Sequence, residues 1–166
     1  MATLRRYAGC TSSPTKAFVF GGNTPSATTS IDTFTIASKG NSTNIGDLNA
    51  QTFNATACSN STRAVISIGA ILPSPYAGTK RLNSYELAST GNATDFGDLN
   101  NIRARSAAAA SNIRGVFGGG DPSVNMESVL FSSKGGGTAF GDLCRDTSID
   151  TAMSGVSDSH GGLGGF

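Results

Sequence analysis

Leu87-Ala88-Ser89-Thr90-Gly91-Asn92-Ala93-Thr94-Asp95-Phe96-Gly97-Asp98-Leu99 is the second of three copies of one phrase. The first copy spans 36–48 (IASKGNSTNIGDL) and the third spans 131–143 (FSSKGGGTAFGDL). The glycine of Gly-Asp-Leu falls at 46, 97 and 141, a period of 51 and then 44 residues. Self-similarity at roughly 40–50 residues marks a stacked or radial repeat architecture, in which each unit buries its faces only against its neighbours.

Beyond this phrase, each unit holds a second recognisable run. Lys16 to Gly22 (KAFVFGG) matches Arg63 to Gly69 (RAVISIG), Arg114 to Gly120 (RGVFGGG) and, loosely, His160 to Phe166 (HGGLGGF). A basic residue opens a short apolar run that ends in glycine. Such runs read as strands buried on both faces. The glycines Gly21, Gly22, Gly69, Gly118 and Gly119 let the chain turn sharply and let backbones approach. A third strand is expected over 31–37, 84–88 and 128–132, with alternation visible in Ile31-Asp32-Thr33-Phe34-Thr35-Ile36. The Gly-containing triplets at 39–41, 90–92 and 134–136 supply a hairpin turn, and a fourth strand ends at Gly-Asp-Leu. The stretch Ala107 to Ala110 reads as strand rather than helix, because its counterparts at 53–58 and 7–12 are not helix-like.

Four antiparallel strands in about 44–51 residues make one blade of a β-propeller. The fold expected is all-β, with blades at 4–48, 49–99 and 100–143 and a half-blade at 144–166. Propellers close with about four to eight blades. The expectation is therefore a ring closed by this chain alone or, favoured here, closed by other copies or docked on a larger assembly.

Composition fits. The chain is 37% hydrophobic and only 14% charged, with 22 Gly, nine Phe and no Trp. Polar surface built from Ser, Thr, Asn and Gly suits short strands and tight turns. Low charge also weakens the protection of sheet edges against pairing, so open edges are expected to be covered by another chain. A net charge of +1 with no basic stripe argues against nucleic acid. No apolar run reaches the roughly 18–20 residues of a membrane span, and the start MATLRRYAGC does not read as a secretory signal. Cys10, Cys58 and Cys144 are odd in number and lack a CxxC, so they read as buried free thiols, with Cys10 and Cys58 equivalent in their repeats and packing there.

The recurrent aspartates Asp47, Asp98 and Asp142 read as turn caps, because a residue repeated in every unit serves the unit's own backbone. Lys16, Arg63 and Arg114 are candidates to pair with them. His160 is the only histidine and has no partner at a nucleophile–base spacing. The 161–165 glycines lack the Lys-Ser/Thr of a phosphate loop. No catalytic residue, cofactor or metal site is assigned, and the chain is read as non-enzymatic. The sequons at Asn41, Asn54, Asn60 and Asn92 read as turn chemistry. Variable stretches at 23–30, 71–82 and 121–126 are where binding is expected, and Ile71, Leu72, Pro73, Pro75 and Tyr76 form the candidate contact loop.

The run Leu99-x3-Arg103-x-Arg105-Ser106-Ala107-Ala108, followed by Val116-Phe117-Gly118-Gly119, resembles the kelch repeat family. Phe96 and Phe140, with Ile45 in the first copy, stand about where kelch carries tryptophan, and Tyr85 matches its tyrosine. The phrase at Leu87 to Leu99 also resembles repeats in structural proteins of tailed bacteriophages, especially cyanophages. That resemblance implies a virion component: a capsid decoration or cement, or a tail or fibre part. Its implied partners are other virion proteins, further copies of itself and a host-surface glycan or protein. The other reading is a soluble glycan- or protein-binding module.

Overall fold

The computed structural model describes residues 4–71, 77–144 and 153–155. Among them there is no helix; the chain forms three antiparallel sheets in series. The first contains β1 (Gly9–Ser12), β2 (Lys16–Phe20), β4 (Ser26–Thr35) and β5 (Thr43–Thr52), with β3 (Asn23–Thr24) hairpinned onto β4. The second contains β6 (Thr56–Ser59), β7 (Arg63–Ser67), β9 (Ala77–Glu86) and β10 (Thr94–Arg103), with β8 (Ala70–Ile71) against β9. The third contains β11 (Ala107–Ala110), β12 (Arg114–Gly118), β13 (Asn125–Leu130) and β14 (Thr138–Asp142). Strands follow one another in each sheet as a meander, the simplest solution for antiparallel neighbours joined by tight turns.

Register fixes which residues correspond. Lys16 faces Thr35, Arg63 faces Glu86 and Arg114 faces Leu130. The third strand begins earlier than the alternation of 31–36 indicates. Residues 26–30 belong to β4 and 77–82 to β9, so most of these variable stretches are strand. The polyalanine run is strand β11, paired to β12 in unbroken register.

Because strand side chains alternate, the second sheet is buried on both faces. Ala64, Ile66, Ile68 and Tyr85 pack with Phe18, Phe20, Ile31 and Leu48 of the first sheet. Val65, Leu82, Phe96 and Leu99 pack with Phe117, Val129 and Phe131 of the third. The three sheets are thus stacked in the order of the chain. No closed ring forms among the described residues.

Two sequence assignments shift by one residue. Cys10 pairs with Val19 and Cys58 with Val65, whereas Val19 corresponds to Ile66, so it is Thr11 that matches Cys58. A one-residue offset places a strand residue on the opposite face. Of the three thiols expected to be buried only Cys58 is; Cys10, on the opposite face, is exposed, as is Cys144. In the third repeat Gly118 still belongs to β12, and Gly119 and Gly120 (φ 60° and 89°) make the turn that Gly21 and Gly22 make in the first.

Candidate functional site

The repeated phrase is a clasp between neighbouring sheets. The Gly91 N–H donates to Ile45 O (2.7 Å) and the Ala93 N–H to Asp47 O (2.8 Å). One repeat on, Gly135 donates to Phe96 O (2.9 Å) and Gly137 to Asp98 O (2.9 Å). Asn92 Oδ1 accepts the Asp47 N–H at 3.0 Å. The hairpin of one sheet is therefore bonded to the Gly-Asp edge of the sheet before it. The glycine is required by close approach: a Cβ on Gly46 would stand 1.7 Å from Gly91 O, and on Gly97 2.4 Å from Gly135 O.

Two of the three aspartates bond across this edge to a side chain of the neighbouring strand instead of capping a turn. Asp47 accepts from Thr29 Oγ1 at 2.7 Å, and Asp142 from Asn125 Nδ2 at 2.6 Å. They do not pair with the basic residues that open the second strands. Arg63 instead pairs with Glu86 at 2.7 Å and donates to the Phe131 carbonyl of the third sheet. The expected aspartate ladder does not form, because those side chains lie on the outer edge, across the sheet from the guanidinium.

Two ion pairs with buried side chains occupy a position that sequence reading missed. Arg5 meets Asp32 at 3.0 Å, and Arg103 meets Glu127. The corresponding residues in the second sheet are Thr52 and Asn83, both fully buried. Each arginine Nη1 also donates to two corresponding carbonyls: Gly21 and Ser30 for Arg5, Gly119 and Asn125 for Arg103. Asn83 Oδ1 accepts the Asn49 N–H, as Glu127 accepts those of Asn100 and Asn101. Thr52 Oγ1 and Asn83 Nδ2 are left without partners. Burial alone would raise the Glu127 carboxyl. Hydrogen bonds from Asn100, Asn101 and Arg103, with the guanidinium charge, outweigh it and hold the group below the ordinary carboxylate range.

The inner ends of the three repeats converge. Bridges Arg6–Asn23, Phe53–Ala70 and Ala104–Asp121 are equivalent, and each is followed by a left-handed residue: Tyr7 (60°), Asn54 (58°), Arg105 (57°). These nine residues line an open cavity of about 390 Å³. Tyr7 meets the Phe53 ring edge-on at 6.4 Å, and Arg6 lies 5.6 Å from the Tyr7 ring. This is polar and aromatic lining fit to hold a small polar ligand. Among the described residues no three potential metal ligands come together.

Of the residues singled out from sequence, Gly21, Gly22, Gly69 and Gly119 form the turns after the second strands, all at positive φ, and Gly118 ends β12. Ile71 belongs to β8 and packs half-buried on the core between the first two sheets. Leu72, Pro73, Pro75, Tyr76 and His160 lie outside the described residues, as does most of the 144–166 half-blade. Among the described residues no helix is long and apolar enough to cross a membrane. Compared with known proteins, the chain matches no family model and no curated protein.

Proposed function

We propose that the protein is a non-enzymatic structural component of a bacteriophage particle, a capsid decoration or cement or a tail or fibre part, working by protein–protein assembly. The observation that carries the assembly half of this reading is the clasp. It joins sheet to sheet twice, and among the described residues the first and third sheets each present a half of it that is not used. A chain whose repeats hold one another through bonds of this kind is built to be extended by further units. The phage half rests on the resemblance of the Gly-Asn/Gly-Asp-Leu phrase to virion repeats and on a rigid, weakly charged all-β chain. The kelch-like β-propeller is the architecture this reading takes, with the ring completed by oligomerisation.

The test is quantitation of the protein in purified particles from its source. Hundreds of copies per particle would assign it to the capsid lattice, and six to a few dozen to the tail. Particles free of it would refute the reading.

A second reading, a glycan- or protein-binding module, is favoured by the cavity at the converging inner ends. Tyr7 and Phe53 there supply aromatic surface, and Asn23, Asn54 and Asp121 supply polar groups. Titration with oligosaccharides against Tyr7→Ala separates the two: saturable binding lost in the variant would support it.

A further inference from the structure

We infer that the first and third sheets are complementary ends, and that a second copy of this chain docks head-to-tail by repeating the clasp between Phe140-Gly141-Asp142 of one copy and Gly40-Asn41-Ser42 of the next. This deepens the assembly reading and rests on it, but not on the particle assignment.

The repeats supply the geometry. Tyr85 and Val129 correspond to Phe34, and Leu87 and Phe131 correspond to Ile36. Tyr85, Leu87, Val129 and Phe131 are all buried between sheets, whereas Phe34 is 40% and Ile36 55% exposed. On the other side of the contact, Phe96 is buried and Ile45 packs on the core, but their counterpart Phe140 is 49% exposed. The apolar residues that seal the two internal interfaces are present, unsealed, at the two ends. One end has only the half belonging to a following sheet, the other only the half belonging to a preceding one. Such surfaces fit each other and not themselves, so the contact is heterologous.

The polar groups agree. No counterpart of the clasp bonds is made at Gly40, Ser42, Phe140 or Asp142 among the described residues. A Cβ on Gly141 would meet only Met126 Cε at 3.6 Å, where those on Gly46 and Gly97 meet a neighbour's carbonyl. The slot is open. Arg114, now 6.0 Å from the Phe140 ring, stands where Arg63 reaches across to the next sheet, and its counterpart acceptor is Ile36 O of the incoming copy. Ser42 Oγ, buried and unpartnered, lies on the same hairpin. At the inner end, residues 153–155 run beside β11, through Met153 N–H to Arg105 O (3.1 Å) and the approach of Gly155 to Ala108. β1 of an incoming copy would lie there, so docking exchanges that short segment for β1.

Cross-linking of the 166-residue chain tests the arrangement. In a Cys10→Ser/Cys144→Ser background, Asn41→Cys and Asp142→Cys proteins are prepared separately and mixed under mild oxidation. Head-to-tail docking predicts a disulfide dimer in the mixture, with at least tenfold less in either protein alone. Same-site dimers, or no cross-link in the mixture, would overturn the proposal. Gly141→Ala in the otherwise native chain provides a second reading: self-association at least tenfold weaker, with the fold retained by circular dichroism, is expected, and unchanged association would overturn it. Failure here with particles still containing the protein would refute the head-to-tail contact alone; success here with particles lacking it would refute the particle assignment alone.

Discussion

Asp32, Asn83 and Glu127 are one position written three ways, and so are Arg5, Thr52 and Arg103. A buried ion pair is costly to break from one side, because the partner is left charged and dry. Arg103→Ala is expected to destabilise the fold by about 3–5 kcal/mol in denaturant melts. Glu127 titrates below the ordinary carboxylate range in the folded state. Its contribution is present above the unfolded value and is lost as pH falls through the folded one. Acid unfolding curves of Glu127→Gln should therefore be flatter below about pH 4.5, on a lower plateau at neutral pH. Transplanting the pair into the second sheet tests the equivalence: Thr52→Arg and Asn83→Glu should each destabilise, and the double variant should recover at least about 1 kcal/mol over their sum. Burial pushes the Cys58 thiol up to about 12, whereas Cys10 and Cys144 are exposed. Ellman's reagent should therefore titrate two of the three thiols in the native protein and the third only on unfolding.

At the scale of elements, periodicity made the strands legible, and their order within each sheet followed from short Gly-bearing connections. What it did not reveal was pairing between repeats. The phrase reads as a hairpin followed by a strand end, and nothing within one repeat says that the hairpin bonds to the preceding repeat's Gly-Asp. The offsets at Cys10 and Gly118 have a similar cause, since matching residue types across degenerate copies can slip by one and only register corrects it. The buried pairs escaped notice because Arg–Asp, Thr–Asn and Arg–Glu share a place but not a residue type. The clasp makes a graded prediction. Gly97→Ala, with φ 136° and Gly135 O in the way, should cost more than about 1 kcal/mol. Gly141→Ala, at φ 147° but open, should lower the thermal midpoint of the isolated chain clearly less.

For the whole molecule, stacking among the described residues gives a first and a last sheet whose outer faces lack the following or preceding sheet their counterparts have, apart from residues 153–155 beside β11. Repeat proteins end their arrays with polar capping units. Here Phe34, Ile36 and Phe140 stand exposed instead, as the proposed head-to-tail joint requires. Head-to-tail assembly makes the mass in solution depend on concentration, and sedimentation equilibrium of the 166-residue chain across a hundredfold range reads that dependence. The mass should rise with concentration through whole multiples of 16.8 kDa. A mass fixed at 16.8 kDa throughout would contradict it.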